Sequence, residues 1–158
     1  MPPSRLLPVL LGLCLLGPAC TTTDSSSPDG FAVEGRLAFV APAGDTLQTI
    51  GIDIADTDAE RRQGLMEKRT LGYDRGMLFV FETVEKHGMW MKNTPLPLDI
   101  VFVAPDSQVI NIARRTTPFS ETTLRPSAPN KFAVEVRAGF ADRFGLSDAT
   151  RIRWVRTE

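Results

Sequence analysis

The sequence predicts a mostly β protein, an antiparallel jelly-roll-like sandwich or small barrel with one short α-helix near residues 58–64. Three observations support this fold class. Apolar residues alternate with polar ones in several short segments, turn residues separate those segments, and one segment carries a clear helix-start signal.

The first part of the domain contains two predicted strands and the helix. Apolar side chains fall at alternate positions in both strands: Phe31, Val33, Leu37 and Phe39 in one, and Ile50, Ile52 and Ile54 in the other. Thr57 and Glu60 have the spacing of a capping box, in which each residue satisfies a backbone amide at the start of a helix. Gly64 predicts the end of that helix.

The second part is denser in strand signals. Residues 77–81 are apolar at every position, as expected of a central strand, and residues 89–91 predict a strand after a turn near 82–86. Further strands are predicted at 98–103, 109–113, 132–136 and 152–155, with a turn at 104–107 and one helical turn within 138–146.

Residues 1–20 have the layout of a lipoprotein-type signal peptide. Arg5 is the sole charge in this segment and precedes an apolar run over 6–16, which is shorter than the roughly 20 residues that span a bilayer. The run ends in small residues and Cys20. We therefore expect an exported protein on the periplasmic side of a bacterial membrane.

Cys20 permits two interpretations. Cleavage before it would make it an acylated first residue that anchors the protein to the lipid membrane, whereas ordinary cleavage nearby would leave a free or lost cysteine. The Ala19-Cys20 ending resembles a bacterial lipobox, although Leu16 lies one position too early. Cys14 leaves with the signal peptide, so no internal disulfide can form. Acylation explains the remaining terminal thiol, and we favour it.

Residues 21–30 are small, polar and rich in turn formers, which predicts a flexible tether. Residues 31–158 then form a single β-rich domain that is long enough to bury its own core. Without Arg5 the chain has 17 basic and 19 acidic residues, and this balance argues against a nucleic-acid binder. The sequence has no phosphate-binding loop and no cluster with the spacing of zinc ligands, so we expect no cofactor. No feature of the sequence indicates a particular protein partner.

Four motifs stand out along the domain: Gly64-Leu65-Met66, Gly76-Met77-Leu78-Phe79, the block WMKNTPLPLDI over residues 90–100, and Glu135-Val136-Arg137-Ala138-Gly139. In order and spacing they resemble domain of unknown function family 192. The resemblance implies a jelly-roll-like β domain that is frequently exported and has no established activity.

The densest polar block combines residues 92–94 with Asp99 and, from distant segments, Glu135 and Arg69. Asp99 and Glu135 each interrupt an apolar strand, and burying an unpaired carboxylate costs on the order of several kcal/mol. Each carboxylate should therefore find a partner, and Lys92 or Arg69 could pair with either one.

Three functional interpretations of this block remain open. In the first, the polar residues are structural devices and Lys92 forms an internal ion pair with Asp99. In the second, Trp90 walls a pocket for a small polar ligand such as a sugar or metabolite. The candidate ligand-binding residues are then Trp90, Met91, Lys92, Asn93, Asp99, Glu135 and Arg69. In the third, Asp99 and Glu135 perform acid–base catalysis of a hydrolase or lyase type in one cleft, although no nucleophile lies beside a base.

A fourth interpretation concerns Cu(I). On a strand, His87, Met89 and Met91 would alternate onto one face, and imidazole with two thioethers is a soft ligand set. Against it, methionine on a strand is usually core and a histidine near a turn is usually solvated. Our main expectation is a small-ligand-binding or interaction module of the cell envelope without a metal.

Overall fold

Seven strands and two short helices make up residues 31–157, the part of the chain that this computed structural model describes. The strands are β1 (Gly35–Val40), β2 (Thr46–Ala55), β3 (Arg75–Glu85), β4 (Leu98–Val103), β5 (Val109–Ala113), β6 (Asn130–Arg137) and β7 (Arg151–Arg156), and the helices are α1 (Asp58–Gln63) and α2 (Phe140–Arg143). The predicted mostly β class with a short helix near 58–64 is confirmed. The predicted signal peptide (1–20) and tether (21–30) lie outside the described residues.

The seven strands form one mixed sheet in the order β5-β4-β6-β3-β2-β1-β7. Five of the six strand pairs are antiparallel, and β2 and β3 run parallel. The predicted antiparallel arrangement therefore holds for every pair but one. Parallel neighbours need a crossover, and the segment that contains α1 supplies it between β2 and β3. A bridge between Gln108 and Arg151 links the two edges of the sheet without closing it into a barrel.

The sheet separates two hydrophobic clusters, as in a small β sandwich. The first cluster contains Leu37, Phe39, Ile50, Ile52, Ile54, Val101, Val103, Val134 and Val136, and Phe140 of α2 packs into it. The second contains Leu65, Leu71, Met77, Phe79, Met91, Leu98, Ile100, Phe102 and Ala133. Because side chains alternate across a strand, the even residues Val134 and Val136 of β6 face the first cluster, whereas Ala133 and Glu135 face the second.

The helix α1 is built as its sequence predicts. The Thr57 hydroxyl accepts a hydrogen bond from the Glu60 amide, and the Glu60 carboxylate accepts from the Thr57 amide at 2.9 Å. The helix ends at Gly64, which has a φ of 45°. No helix within residues 31–157 is long and apolar enough to cross a membrane.

The strand predicted at residues 89–91 is absent. Strand β3 continues to Glu85, and the chain then crosses the second cluster as a loop. This loop is held by separate backbone contacts: Met89 pairs with Leu124 in an isolated bridge, and the Met91 amide donates to the Ser120 carbonyl at 2.9 Å. Met89 and Met91 pack against the second cluster, and their apolar character does not come from strand pairing.

Candidate functional site

Glu135 lies in the middle of the sheet with almost no access to solvent. In register, it stands opposite Met77 of β3 and Ile100 of β4, and it is 4% exposed. No hydrogen bond or ion pair joins its carboxyl group to another described residue. Burial raises the pKa of Glu135 to about 8, so the carboxyl is mostly protonated at neutral pH.

The Glu135 carboxyl faces a cavity of 20 Å³, which we call the Glu135 cavity. This volume is about that needed for one water molecule. Its lining comes from α1 and the residues after it, from β3, from the 89–94 loop and from β6: Arg61, Arg62, Gln63, Gly64, Leu65, Met66, Phe79, Met89, Trp90, Lys92, Thr94 and Glu135. Each of the four motifs singled out in the sequence therefore contributes at least one residue to this cavity.

Gly64 leaves the space that makes the cavity. A methyl group built on it would lie 3.9 Å from Oε2 of Glu135 and 3.2 Å from Cζ of Phe79. The left-handed φ of Gly64 also disfavours any side chain at this position. The glycine that terminates α1 thus also lets the backbone approach the buried carboxyl.

Trp90 and Lys92 form the outer wall of the Glu135 cavity. Trp90 is 47% exposed, an unusual state for a large aromatic residue, and the Lys92 ammonium lies 5.1 Å from the centre of its ring. Thr94, which also lines the cavity, is 5% exposed and donates its hydroxyl hydrogen to the Lys92 carbonyl. An aromatic face and a positive charge therefore meet solvent directly outside the buried acid.

Two further cations line the Glu135 cavity, both from α1. Arg61 is engaged elsewhere: its guanidinium pairs with Asp58 at 2.6 Å and with Glu82 at 3.1 Å. Arg62 lies on the exposed side of the helix. Neither offsets the effect of burial on the Glu135 carboxyl.

Asp99 occupies the opposite face of the sheet from Glu135. It stands opposite Val136 in register and is fully buried. One of its oxygens accepts a hydrogen bond from the Arg115 amide at 2.8 Å, and the other accepts from the Ala141 amide at 2.9 Å. Asp99 therefore holds a loop and the start of α2 and does not face the Glu135 cavity.

Two predicted pairings fail for this reason. The ion pair between Lys92 and Asp99 is not formed, because Asp99 binds backbone amides and Lys92 lies over Trp90. The shared cleft for Asp99 and Glu135 is also absent, because the two residues point to opposite sides of the sheet. Neither carboxylate is paired with Lys92 or Arg69 in residues 31–157.

The three residues of the copper interpretation have separate environments. The Sδ atom of Met91 is buried and accepts a hydrogen bond from the Thr116 hydroxyl at 3.1 Å. The His87 ring stacks on Phe81 with 4.1 Å between ring centres. Met89 lines the Glu135 cavity instead. The alternation that would group these three side chains requires a strand that the structure does not contain.

Asn93 and Arg69, the remaining candidates, lie together outside the Glu135 cavity. Both line a depression that also includes Glu67, Pro95 and Phe119. Asn93 has a φ of 52°, which this residue type tolerates better than most, and its carbonyl accepts from the Glu67 amide. Of the seven candidate residues, the structure thus brings Trp90, Lys92 and Glu135 to one cavity.

Sequence reasoning missed the other side of the Glu135 cavity, namely Gly64, Met66 and Phe79, and considered Met89 only as a copper ligand. The sequence pattern indicates only a helix end at Gly64 and core positions at Met66 and Phe79. The signal that could have identified Gly64, Met66 and Phe79 was their position within the motifs Gly64-Leu65-Met66, in the crossover to β3, and Gly76-Met77-Leu78-Phe79, within β3.

Comparison with known proteins places this chain in a family. The family model DUF192, described as "Uncharacterized ACR", matches residues 39–154. The chain belongs to this family. The resemblance proposed from the four motifs is thereby confirmed at the level of the family.

Two solved structures are similar to this domain. One is a Sinorhizobium meliloti 1021 protein provisionally described as a transcription regulator, with 34% identity, a TM-score of 0.74, and coverage of 78% of this chain and 95% of that one. The other is a protein of unknown function from Novosphingobium aromaticivorans DSM 12444, with 33% identity, a TM-score of 0.72, and coverage of 75% and 84%. No curated protein matches the chain.

Proposed function

We propose that this DUF192 domain binds a small polar ligand at the Glu135 cavity. One observation carries the proposal: a carboxyl group that is 4% exposed and has no partner among the described residues faces a cavity to which the four motifs singled out in the sequence all contribute. A nearly buried carboxyl group that has no protein partner and borders a cavity calls for an explanation, and a ligand is one that the surrounding residues support.

The chemistry of the cavity limits the class of ligand that it can bind. A protonated carboxyl donates one hydrogen bond, so Glu135 favours an acceptor such as a carbonyl or hydroxyl oxygen. The 20 Å³ volume admits one such group. The body of the ligand would then lie outside, against the exposed ring of Trp90, where stacking and the Lys92 charge add affinity.

Tryptophan fluorescence offers a direct test. The chain has two tryptophans, Trp90 and Trp154, so a Trp154→Phe variant reports on Trp90 alone. Sugars and metabolites with terminal carbonyl or hydroxyl groups are screened by quenching and by thermal shift. A true ligand should quench Trp90 and raise Tm, and its affinity should fall above about pH 8 as Glu135 ionises.

Variants then locate the binding. In a folded protein, Glu135→Leu should weaken binding by more than about tenfold, because the donor is lost while the apolar packing remains. The matched control is Glu121→Leu, which removes an exposed carboxylate. Binding that survives both Glu135→Leu and Trp90→Ala would place the ligand elsewhere and refute the proposal.

We further propose that the domain works in the cell envelope, anchored through an acylated Cys20. The support is that segment 1–20 resembles a signal peptide and that Cys20 is the single cysteine left once the residues before it are removed. Metabolic labelling with palmitate should give a labelled, membrane-bound protein, and Cys20→Ser should abolish both properties. Unchanged labelling and fractionation of that variant would exclude the anchor.

A further inference from the structure

A second concave surface lies away from the Glu135 cavity and carries three arginines. This cleft has a volume of 640 Å³, within the range of about 300–1,000 Å³ that small-molecule sites occupy. Its lining contains no acidic side chain: Arg69, Thr70, Leu71, Gly72, Tyr73, Leu96, Pro97, Arg115, Arg137 and Ala138. We call it the arginine cleft.

The three guanidinium groups reach the cleft from separate parts of the fold. Arg69 comes from the connection between α1 and β3, Arg115 from the loop after β5, and Arg137 from the end of β6. Arg69 and Arg137 make no ion pair with another residue in the described part of the chain. Among the three, only Arg115 has a carboxylate partner, Asp142. The positive charges of the cleft therefore exceed the negative ones, and a bound anion would relieve the repulsion between them.

Arg115 is held in place from both its backbone and its side chain. Its φ is 48°, and its amide donates to the buried carboxylate of Asp99 at 2.8 Å. Its guanidinium donates to Asp142 at 2.9 Å and lies over Gly139, where a methyl group would come within 3.4 Å of both terminal nitrogens. A strained backbone that is fixed by a buried group is typical of a functional position.

Asp142 does not neutralise this region. Its second carboxylate oxygen accepts from Arg114 at 3.0 Å, so two arginines share one negative charge. The donors of Arg115 that Asp142 does not use remain available to a ligand in the cleft.

Arg137 is oriented by Tyr73. Its guanidinium carbon lies 4.8 Å from the centre of the Tyr73 ring, and the ring is fixed by a hydrogen bond from its hydroxyl to the Ala138 carbonyl. Arg143 stacks on the same ring at 4.7 Å. Tyr73 thus acts as a positioning residue that orients two cations before any ligand arrives.

We propose that the arginine cleft binds a small phosphate monoester. A doubly charged phosphate can accept forked hydrogen bonds from several guanidinium groups at once, which a singly charged carboxylate does less well. The apolar side chains of Leu71, Leu96 and Pro97 would contact the organic part of the ligand. This inference stands on residues outside the Glu135 cavity and does not depend on the function proposed for that cavity.

The test uses phenyl phosphate, which combines a phosphate monoester with a small apolar body, and isothermal titration at low ionic strength. Arg69→Gln and Arg137→Gln should each weaken binding about tenfold, as expected for the loss of one charge-assisted contact. Arg153→Gln on the exposed side of β7 makes the same change of charge away from the cleft and should alter affinity less than about twofold.

Several outcomes distinguish binding in the arginine cleft from a general effect of charge. Weakening by Arg153→Gln equal to that by Arg137→Gln would reduce the effect to overall charge and overturn the proposal, as would equal affinity for benzoate. No binding of phenyl phosphate would also overturn it, unless vesicles that contain phosphatidic acid bind and lose binding in Arg137→Gln, which would assign the monoester to a lipid. If the Glu135→Leu variant still binds phenyl phosphate, the arginine cleft is a site separate from the Glu135 cavity.

Discussion

Two buried carboxyl groups lie one register position apart in this domain and face opposite sides of the same sheet. Asp99 of β4 and Glu135 of β6 are both almost inaccessible to solvent. Asp99 accepts two backbone hydrogen bonds, one to each oxygen. Glu135 has no partner within residues 31–157 and its pKa is raised to about 8. Similar burial therefore accompanies a structural role in one case and an unpaired group in the other.

The two buried acids differ in their hydrogen-bond partners. Asp99 provides for α2 what a capping side chain provides for an ordinary helix, because the residue at the N-cap position is Gly139 and has no side chain. Glu135 receives no hydrogen bond from a described residue and lies beside a cavity that could admit one group of a ligand. Burial thus indicates function only when the partners of the buried group have been accounted for.

The largest expected effect is that of Asp99→Asn. The amide group can accept from one backbone donor but presents an N–H to the other, so one buried amide loses its partner. We expect the free energy of unfolding to fall by about 3 kcal/mol. Urea denaturation at pH 7 measures it, with the exposed Asp45→Asn as control. A loss below about 1 kcal/mol would contradict the role assigned to Asp99.

The second prediction concerns the pH dependence of stability at Glu135. Its pKa is raised from 4.5 to about 8 on folding. Between these values the folded state binds more protons than the unfolded state, so stability declines as pH rises, by about 2 kcal/mol from pH 6 to pH 8. Glu135→Gln should lack this component and should be more stable than the parent at pH 9. Parallel pH profiles of the two proteins would show that Glu135 is not protonated in the fold.

Gly64→Ala should lower the free energy of unfolding by a smaller amount, and it tests how closely the Glu135 cavity is packed around Gly64. The new methyl group is strained by the positive φ and lies close to Phe79, so we expect a loss of about 1.5 kcal/mol. Gly145→Ala is the matched control, because Gly145 also has a positive φ but no atom within 4 Å of the position that a methyl group would take. Equal losses for the two variants would mean that the cavity wall tolerates the methyl group.

Thr57→Ala is expected to have the smallest effect, about 1 kcal/mol, the usual cost of an N-cap residue. It removes the side-chain acceptor of the Glu60 amide at an exposed site, where water can replace it. Thermal unfolding measures the loss. A Tm decrease as large as that of Asp99→Asn would mean that an exposed cap and a buried cap contribute equally to stability. The proposed difference between hydrogen bonds at exposed and at buried sites would then be wrong.

Local signals predicted most of the fold. The capping box at Thr57 and Glu60, the strands at 98–103 and 109–113 and the turn between them involve residues close in sequence, and the structure contains all of them. The strand expected at 89–91 failed because an apolar loop that packs on a sheet face has the composition of a strand. The parallel pairing of β2 and β3 depends on how the crossover segment folds back, which no local pattern specifies.

The candidate site could be predicted only in part. Alternation within β4 and β6 identified Asp99 and Glu135 as buried acids, and the composition of residues 90–94 identified Trp90 and Lys92. Whether two such residues share a side of the sheet depends on the register between strands. In the observed register, Ile100 and not Asp99 stands opposite Glu135, and this separates the two acids.

The sequence by itself therefore determined the mostly β class, the short capped helix after β2, the family and the presence of two acids in apolar strands. Tertiary structure decided which acid is satisfied, because the donors to Asp99 come from Arg115 and Ala141, 16 and 42 residues away. It also decided that Gly64, Trp90, Lys92 and Glu135 surround one cavity. Hydrogen bonds and cavities join residues that are distant along the chain, and only strand register and loop packing bring those residues together.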